Sequence, residues 1–351
     1  MNSSTQRKIA EILFSNISND NLATKKERSL VKKIWDVHDI SKVSISDTQE
    51  LKLAFKKASL DDAYLISPTY YMLTGRRGLW LYKHATRNND EKTACLFCLH
   101  PNIKDTVIIF PPFGCNTPAA ISRLIDKVSI EGINFQIGRI AKESGMVCEL
   151  NKFLNGRIVE KNEDVLDWAF PVHTIDCNKL LAQKGGKYKR IRQVMKKFNA
   201  TSPTIREINF TDDFSSIKKM SEDWEKSNQH YDKYNVDFNK YFETLIDVAV
   251  RAPSIGLKGI IISIDGIDSG FSIWEHALNK EKIANLFASQ VSNFELDSLS
   301  AYLTVKSVEH AFLGGAKYMC LGGSENYGMD RYKRGFVPEQ SKDLITVEIT
   351  P

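Results

Sequence analysis

The sequence predicts an α+β protein of two related domains, each a mixed, twisted sheet flanked by helices. Three observations support this class. The chain has 351 residues, more than a single hydrophobic core usually organises. Strand-like and helix-like patterns follow one another in the same order in both halves, and the first residues read as helical. We therefore expect an N-terminal helical segment over 1–45, a first domain over 46–165 and a second over 166–351.

The first half begins with two predicted helices. Apolar residues at helical spacing predict one over 5–17, and Asp47 with Glu50 forms a plausible capping box for another over 49–59. Turn residues then bound runs of apolar and β-branched residues, which predict strands. The predicted elements that follow are strands over 78–85, 93–100 and 105–113, a helix over 117–128 and a strand over 134–140.

The second half repeats this order without obvious sequence identity. The predicted elements are strands over 255–265, 269–277 and 282–290, a helix over 297–312, and strands over 317–321 and 343–349. The helix carries one apolar face and ends at Gly314-Gly315, a typical stop signal. Residues 151–183 are expected to connect the two repeats.

Composition places the chain among ordinary globular proteins. Apolar residues make up 42% and charged residues 26%, and no apolar run reaches the length of a membrane span. The N-terminus lacks the apolar stretch of a secretory signal, so we expect a cytoplasmic protein with six reduced cysteines. Cys95 and Cys98 have the spacing of a zinc knuckle, but they lie in a strand pattern without a second pair, which favours core thiols. We expect no metal site.

Positive charge is concentrated between Asp176 and Glu207, where no acidic residue occurs. Residues 184–198 read as a basic amphipathic helix that opens the second domain. Its apolar stripe is expected to consist of Tyr188, Ile191, Met195 and Phe198. The cations expected to bind phosphates are Lys187, Lys189, Arg190, Arg192, Lys196 and Lys197. The alternative is an ordinary solvated helix face, although such faces usually mix charges of both signs.

A second candidate site lies at 317–339, where a predicted strand ends in a glycine turn followed by polar and cationic residues. The expected binding residues here are Gly322, Gly323, Ser324, Asn326 and Arg331. The candidate catalytic residues are Glu275, at a strand end beside His276, together with Glu325 and Lys333. The alternative is a plain strand, turn and helix with solvated charges. The chain contains no signature of a serine hydrolase, a zincin or a P-loop NTPase.

Two segments resemble a known family. Residues 167–198, DWAFPVHTIDCNKLLAQKGGKYKRIRQVMKKF, resemble the passage from a strand to a basic helix in the phosphatidylglycerol lysyltransferase C-terminal domain family. Residues 321–338, LGGSENYGMDRYKRGFVP, are similar to the closing motif of that family and of Fem-type ligases. The resemblance covers about 165–350 well and the first half only in topology. It implies tandem GNAT-like domains and transfer of an aminoacyl group from aminoacyl-tRNA to an amine or hydroxyl.

The resemblance also implies roles for particular residues. Lys187, Arg190 and Arg192 fall on the family's basic helix. Glu325, Lys333 and Phe336 fall on its closing motif. The spacing from Asn326 to Lys333 is shorter than in the lipid-modifying relatives, and we expect no membrane domain before this chain; both expectations weaken that of a lipid acceptor.

The expected reaction needs little covalent machinery, because an aminoacyl ester is already activated. The basic helix would hold the acceptor end of tRNA, Lys333 or Arg331 would support the oxyanion or the terminal phosphate, and Glu275 or Glu325 would bind or deprotonate the amine. We expect no tightly bound cofactor, and a small molecule, a peptide or a lipid-like compound as acceptor.

Two alternatives remain open. One is an N-acyltransferase whose co-substrate is acyl-CoA; GNAT members of this kind use a glycine-rich turn after the central strand, whereas 289–299 contain no glycine. The other is a non-catalytic module of the same fold that binds nucleic acid or a protein.

Overall fold

The computed structural model describes residues 23–349 except for 57–59, 61, 86–91, 115–116, 155, 157, 162–168, 228–237, 278–281, 293–295 and 297. The α-helices of the described residues are α1 (Lys25–Trp35), α2 (Thr48–Phe55), α3 (Pro68–Thr74), α4 (Thr117–Val128), α5 (Met146–Phe153), α6 (Cys177–Ala182), α7 (Lys189–Asn199), α8 (Phe214–Ser227), α9 (Phe238–Arg251), α10 (Leu299–Leu313) and α11 (Tyr327–Arg334). The predicted helix at 5–17 lies outside the described residues.

The strands fall into two mixed sheets. They are β1 (Ile40–Lys42), β2 (Leu79–Ala85), β3 (Lys92–Leu99), β4 (Thr106–Ile109), β5 (Phe113–Gly114), β6 (Asn134–Ala141), β7 (Ile158–Lys161), β8 (Val172–Asp176), β9 (Thr204–Glu207), β10 (Leu257–Ile264), β11 (Ile267–His276), β12 (Ile283–Val291), β13 (Tyr318–Cys320), β14 (Gln340–Lys342) and β15 (Leu344–Ile349). The α+β class with two mixed sheets flanked by helices is confirmed.

The first sheet has the order β1-β2-β3-β4-β6-β15-β7, with β5 paired to β3. The pair β4–β6 is parallel and the other pairs are antiparallel. The last strand of the chain, β15, lies between β6 and β7. It was expected to complete the second repeat, so its placement in the first sheet corrects that expectation. Pairing between distant segments decided this, because the apolar pattern of a strand does not specify its neighbours.

The second sheet has the order β14-β8-β13-β12-β11-β10-β9, in which β12–β13 is the parallel pair. One face packs on α7 and α10 through apolar residues such as Trp274 and Met319. The opposite face packs with α8, α9 and the 63–73 region of the first domain around Ile261 and Ile273. The second sheet is therefore covered on both faces, and the first domain forms part of one cover.

The predicted basic helix is present but shorter than expected. It begins at Lys189 after a single helical turn over Gly186–Tyr188, because Gly185 adopts a positive φ of 91°. The predicted strands over 255–265, 269–277 and 282–290 are confirmed as β10, β11 and β12. The sequence patterns did not predict helices α3, α5, α6, α8 and α9.

Candidate active site

The central feature of the second sheet is the point where β12 and β13 separate. The two strands pair only from Ile283 to Asn285. The chain after β13 instead follows β8, since Leu321 N donates to His173 O at 2.8 Å. The register between β11 and β12 also shifts here, which leaves Phe287 as a β-bulge. An opening therefore forms between the second half of β12 and the segment after β13.

The first domain places Tyr64 at this opening. The Tyr64 hydroxyl donates to Leu286 O at 2.6 Å, and Asn285 Nδ2 donates to Ala63 O at 2.9 Å. On the other side, Gly322 has a φ of +73°, and a Cβ at that position would lie 3.1 Å from the Tyr64 hydroxyl. Glycine is favoured here, because a positive φ strains a residue that has a side chain and a Cβ would crowd the Tyr64 hydroxyl. The opening is thus lined by both domains.

A buried arginine, Arg139, packs against the ring of Tyr64. The Arg139 guanidinium lies 5.1 Å from the centre of the Tyr64 ring and 4.8 Å from that of Tyr70. Arg139 Nε also donates to Asp62 Oδ2 at 2.7 Å, and Arg139 is only 1% exposed. A buried charge persists when an opposite charge and hydrogen bonds compensate its lost hydration. These contacts hold the Tyr64 ring in place.

Glu275 lies opposite Asn285 in the antiparallel pair β11–β12, so both side chains occupy the face that meets the first domain. Glu275 is fully buried, and Ser67 Oγ donates to its Oε2 at 2.7 Å. Burial raises the pKa of Glu275 from its ordinary value of 4.5 to about 7, although hydrogen bonds from Thr69 and Ser67 act in the opposite direction. A carboxyl group that titrates near neutral pH can accept and return a proton.

Two buried side-chain oxygens of this residue pair lack an ordinary hydrogen bond to the described residues. They are Glu275 Oε1 and Asn285 Oδ1. A protonated Glu275 or an N–H group of a ligand would satisfy them. His276, the neighbour of Glu275, lies on the other face of β11, where its Nε2 is 3.0 Å from a Cβ built on Gly314. Glu275 and His276 therefore do not form an acid–base pair.

The closing segment forms a strand, a turn and α11. Asn326 caps this helix by accepting from Met329 N at 2.9 Å, as expected of an asparagine at a helix start. Lys333 Nζ donates to the Gly323 carbonyl, which ties the helix back onto the turn. Ser324 is buried, and its hydroxyl has no hydrogen-bond partner among the described residues. Glu325 is partly buried and Arg331 is exposed.

A buried His–Asp pair, which the sequence did not reveal, anchors α11 to the sheet. His173 Nε2 and Asp330 Oδ1 are 2.7 Å apart, and Arg334 Nε donates to Asp330 Oδ2 at 2.7 Å. His173 Nδ1 lies 2.8 Å from Ser341 Oγ. Burial lowers the pKa of His173. For Asp330, burial acts to raise the pKa, but the hydrogen bonds from His173 and Arg334 outweigh it, so the pKa of Asp330 is also lowered. The i,i+4 pair Asp330–Arg334 was the available sequence signal.

The basic helix α7 buries an apolar stripe against the second sheet. Its buried residues are Tyr188 of the preceding turn, Ile191, Val194 and Phe198. Met195, expected in the stripe, lies at its edge, and Val194 takes its place because an 11-residue α-helix advances 100° per residue. All six cations predicted on this helix are exposed: Lys187, Lys189, Arg190, Arg192, Lys196 and Lys197.

Individual cations of α7 differ in their surroundings. Arg192 Nη1 donates to the Gln183 and Gly185 carbonyls, so its charge supports the turn before the helix. Arg190 extends toward α11, and a Cβ built on Gly335 would lie 3.2 Å from its Nη1. Lys189 makes no ion pair with a described residue.

Comparison with known proteins identifies the fold. No protein-family model matches the chain, and no curated protein matches its sequence. A conserved protein of unknown function from Bacteroides thetaiotaomicron is 13% identical, covers 89% of this chain and 99% of its own, and has a TM-score of 0.69. FemX is 12% identical, covers 88% of this chain and 96% of its own, and has a TM-score of 0.58. The C-terminal domain of a putative lysylphosphatidylglycerol synthetase from Agrobacterium fabrum is 12% identical, with coverages of 88% and 93% and a TM-score of 0.56.

A tandem GNAT protein from the clavulanic acid biosynthesis pathway is 10% identical, covers 89% of this chain and 98% of its own, and has a TM-score of 0.53. The chain has a tandem GNAT fold. This confirms, at the level of the fold, the resemblance drawn from the basic helix and the closing motif. Sequence identities this low establish the fold alone. The roles of the individual site residues stay predictions.

Within the tandem GNAT fold, the candidate residues form two groups on opposite faces of the second sheet. Helix α7 packs on the face of Trp274, whereas Glu275, the next residue of β11, faces the first domain. The closing segment, residues 321–338, runs from one group toward the other: Gly322 lies close to the Tyr64 hydroxyl, and Gly335 lies close to Arg190. The structure thus brings Arg190 close to α11, but it does not place the basic helix beside Glu275.

The described residues contain no cluster of three metal-ligating side chains. Cys95 and Cys98 are buried free thiols on β3, and burial raises the pKa of Cys98 to about 12, as suits core thiols. In the part of the chain that the structure describes, every helix is too short or too polar to cross a membrane.

Proposed function

We propose that the chain is an acyltransferase that moves an aminoacyl group from aminoacyl-tRNA to the amine or hydroxyl of a small molecule, a peptide or a lipid-like acceptor. One observation carries this proposal. The second sheet has exposed cations on the helix that covers one of its faces, at Lys189 and Arg190, and a buried carboxyl with a pKa of about 7 on its other face, at Glu275. A polyanionic donor and a nucleophile that must lose a proton require these two groups.

In the proposed reaction, the nitrogen or oxygen of the acceptor attacks the ester carbonyl carbon. A C–N or C–O bond forms, and the ester C–O bond to the ribose breaks. Glu275 takes the proton that the nucleophile loses, and a proton returns to the leaving ribose oxygen. Lys333 supports the oxyanion, since an oriented ammonium is most effective where negative charge develops. Glu325, at the start of α11, would orient an acceptor amine.

Two features support tRNA over acyl-CoA as donor. Helix α7 is 11 residues long, and its cations, from Lys189 to Lys197, are spread over about 12 Å, which suits an extended chain of phosphates better than one pyrophosphate. The junction 289–299 contains no glycine, and Ser298 before α10 makes no side-chain cap. The C-terminal domain of the putative lysylphosphatidylglycerol synthetase, whose name describes a lysyl-lipid product, shares the fold, as does FemX.

The test is a transfer assay in which tRNA carries a mixture of radiolabelled amino acids and the acceptors are a panel of amines and alcohols. The variant Lys189→Glu/Arg190→Glu is compared with Lys218→Glu/Lys219→Glu, which reverses two adjacent exposed cations on α8 and changes net charge equally. We expect the α7 variant to lose at least 10-fold in transfer and in tRNA affinity, because each phosphate contact adds to the salt-dependent binding. The α8 variant should stay near wild type.

Three results would count against the proposal: equal losses in both variants, no loss in either, or transfer only from acyl-CoA. The last would establish the N-acyltransferase alternative. Salt-dependent RNA binding without transfer to any acceptor would favour the non-catalytic module.

A further inference from the structure

An exposed aromatic side chain stands at the start of α11. Tyr327 is 66% exposed, although tyrosine rings in folded proteins are usually largely buried. The half-buried ring of Phe170 supports it on one side, with ring centres 6.4 Å apart and planes inclined by 53°. The next residue, Gly328, has no side chain that could cover the ring. One face of Tyr327 is therefore held open to solvent.

Cations continue from this ring toward the basic helix. Arg331 lies one helical turn after Tyr327, on the same side of α11, and is exposed. Arg190 of α7 approaches Gly335 at the other end of α11. The eight residues of α11 span about 12 Å, so the aromatic ring and the two guanidinium groups follow one line of that length.

This line has the composition of a site for single-stranded nucleic acid. Such sites combine cations that follow the backbone with aromatic rings on which bases stack. A membrane surface fits less well, because interfacial binding needs a broad apolar face. Among the described residues the most exposed aliphatic side chains, Leu313 and Ile267, lie apart from α11, at the end of α10 and at the start of β11.

We infer that Tyr327 is a stacking platform for a base at the 3′ end of a single-stranded RNA, with Arg331 and Arg190 binding its phosphates. The inference rests on the proposed function, in which the donor is aminoacyl-tRNA. It adds a specific contact outside the residues assigned to transfer. Tyr327 positions the donor and does not touch the reacting atoms.

The experiment measures binding of two fluorescent RNA tetranucleotides, one ending in adenosine and one ending in an abasic ribose. For the complete oligonucleotide, Tyr327→Ala should weaken binding between about 5-fold and about 100-fold, whereas Tyr327→Phe should keep wild-type affinity. For the abasic oligonucleotide, Tyr327→Ala should have no further effect. Binding as a function of salt separates the two kinds of contact: Arg331→Gln should reduce the slope of log K against log salt by about 0.7, and Tyr327→Ala should leave it unchanged.

Phe153→Ala serves as the control, since Phe153 is a comparably exposed ring on α5 of the first domain at 49% exposure. Thermal unfolding of each variant establishes that the fold is kept. The inference is wrong if the terminal base contributes equally to RNA affinity in wild type and in Tyr327→Ala. If aminoacyl transfer still depends on α7 in that case, the proposed function stays intact. Binding to phosphatidylglycerol vesicles but not to RNA would overturn both.

Discussion

Replacing Glu275 by glutamine tests the buried carboxyl directly. Glutamine has the same shape and can still accept the hydrogen bond from Ser67 through its side-chain oxygen. It therefore resembles protonated Glu275 and cannot ionise. Any pH dependence that wild type has and the variant lacks belongs to this carboxyl group.

The magnitude follows from the pKa values. The folded-state pKa of about 7 lies above the ordinary value of 4.5, which we take for the unfolded chain. Between these pH values the folded chain retains a proton that the unfolded chain has lost, so the free energy of unfolding falls as pH rises. At 1.36 kcal/mol per pH unit, the full difference is about 3 kcal/mol. The stability is complete below about pH 4.5 and the loss is complete above about pH 7.

The assay is urea unfolding of wild type and Glu275→Gln between pH 4.5 and 8. Wild type should lose about 3 kcal/mol relative to the variant over this range. The exposed substitution Glu131→Gln, in the turn before β6, should show no such trend. At pH 8 the Glu275→Gln protein should thus be the more stable one, yet transfer about 10²-fold to 10⁴-fold more slowly if Glu275 is the base. A difference between wild type and variant that is independent of pH would refute the reasoning about burial.

Three further predictions concern the surrounding scaffold. Gly322→Ala should cost about 2 kcal/mol more than Gly266→Ala, because both have positive φ but only Gly322 faces a neighbouring group, the Tyr64 hydroxyl; urea unfolding measures both. Asn326→Ala should lower stability by about 1 kcal/mol through loss of the α11 cap, and Asn326→Asp should restore it, as thermal unfolding can show. Asp330→Ala should cost about 3 kcal/mol in urea unfolding, since His173 and Arg334 lose a buried partner.

The local sequence pattern was sufficient to predict the central strands of the second sheet, β10, β11 and β12. The runs at β10, β11 and β12 are rich in isoleucine and other apolar residues, because both faces of these strands are covered. A run of apolar residues also predicted the strand β15, but nothing within 344–349 specifies that this strand pairs with β6 and β7. Helices α8 and α9 carry apolar residues at helical spacing, so their signal was present in the sequence.

The candidate site was harder to predict because it depends on contacts between distant segments. The charge cluster of α7 and the turn at Gly322 can be recognised locally, and Gly322 lies at the opening of the second sheet. The hydrogen bond from Tyr64 to Leu286 joins residues 222 positions apart, and that from Ser67 to Glu275 joins residues 208 apart. No periodicity or spacing within one segment encodes such a pair.

These long-range contacts bear on the role of the first domain. Its 62–67 segment provides the Tyr64 hydroxyl at the edge of β12, the Ala63 carbonyl for Asn285 and the Ser67 hydroxyl for Glu275. Glu275 owes its raised pKa mainly to burial, and its side chain lies on the sheet face that the first domain helps to cover. Without that cover, water would reach the carboxyl and its pKa would return toward 4.5, where it is a weak base at neutral pH. The first domain therefore sets the proton affinity of the candidate catalytic group, even though it supplies none of the cations that would bind the donor.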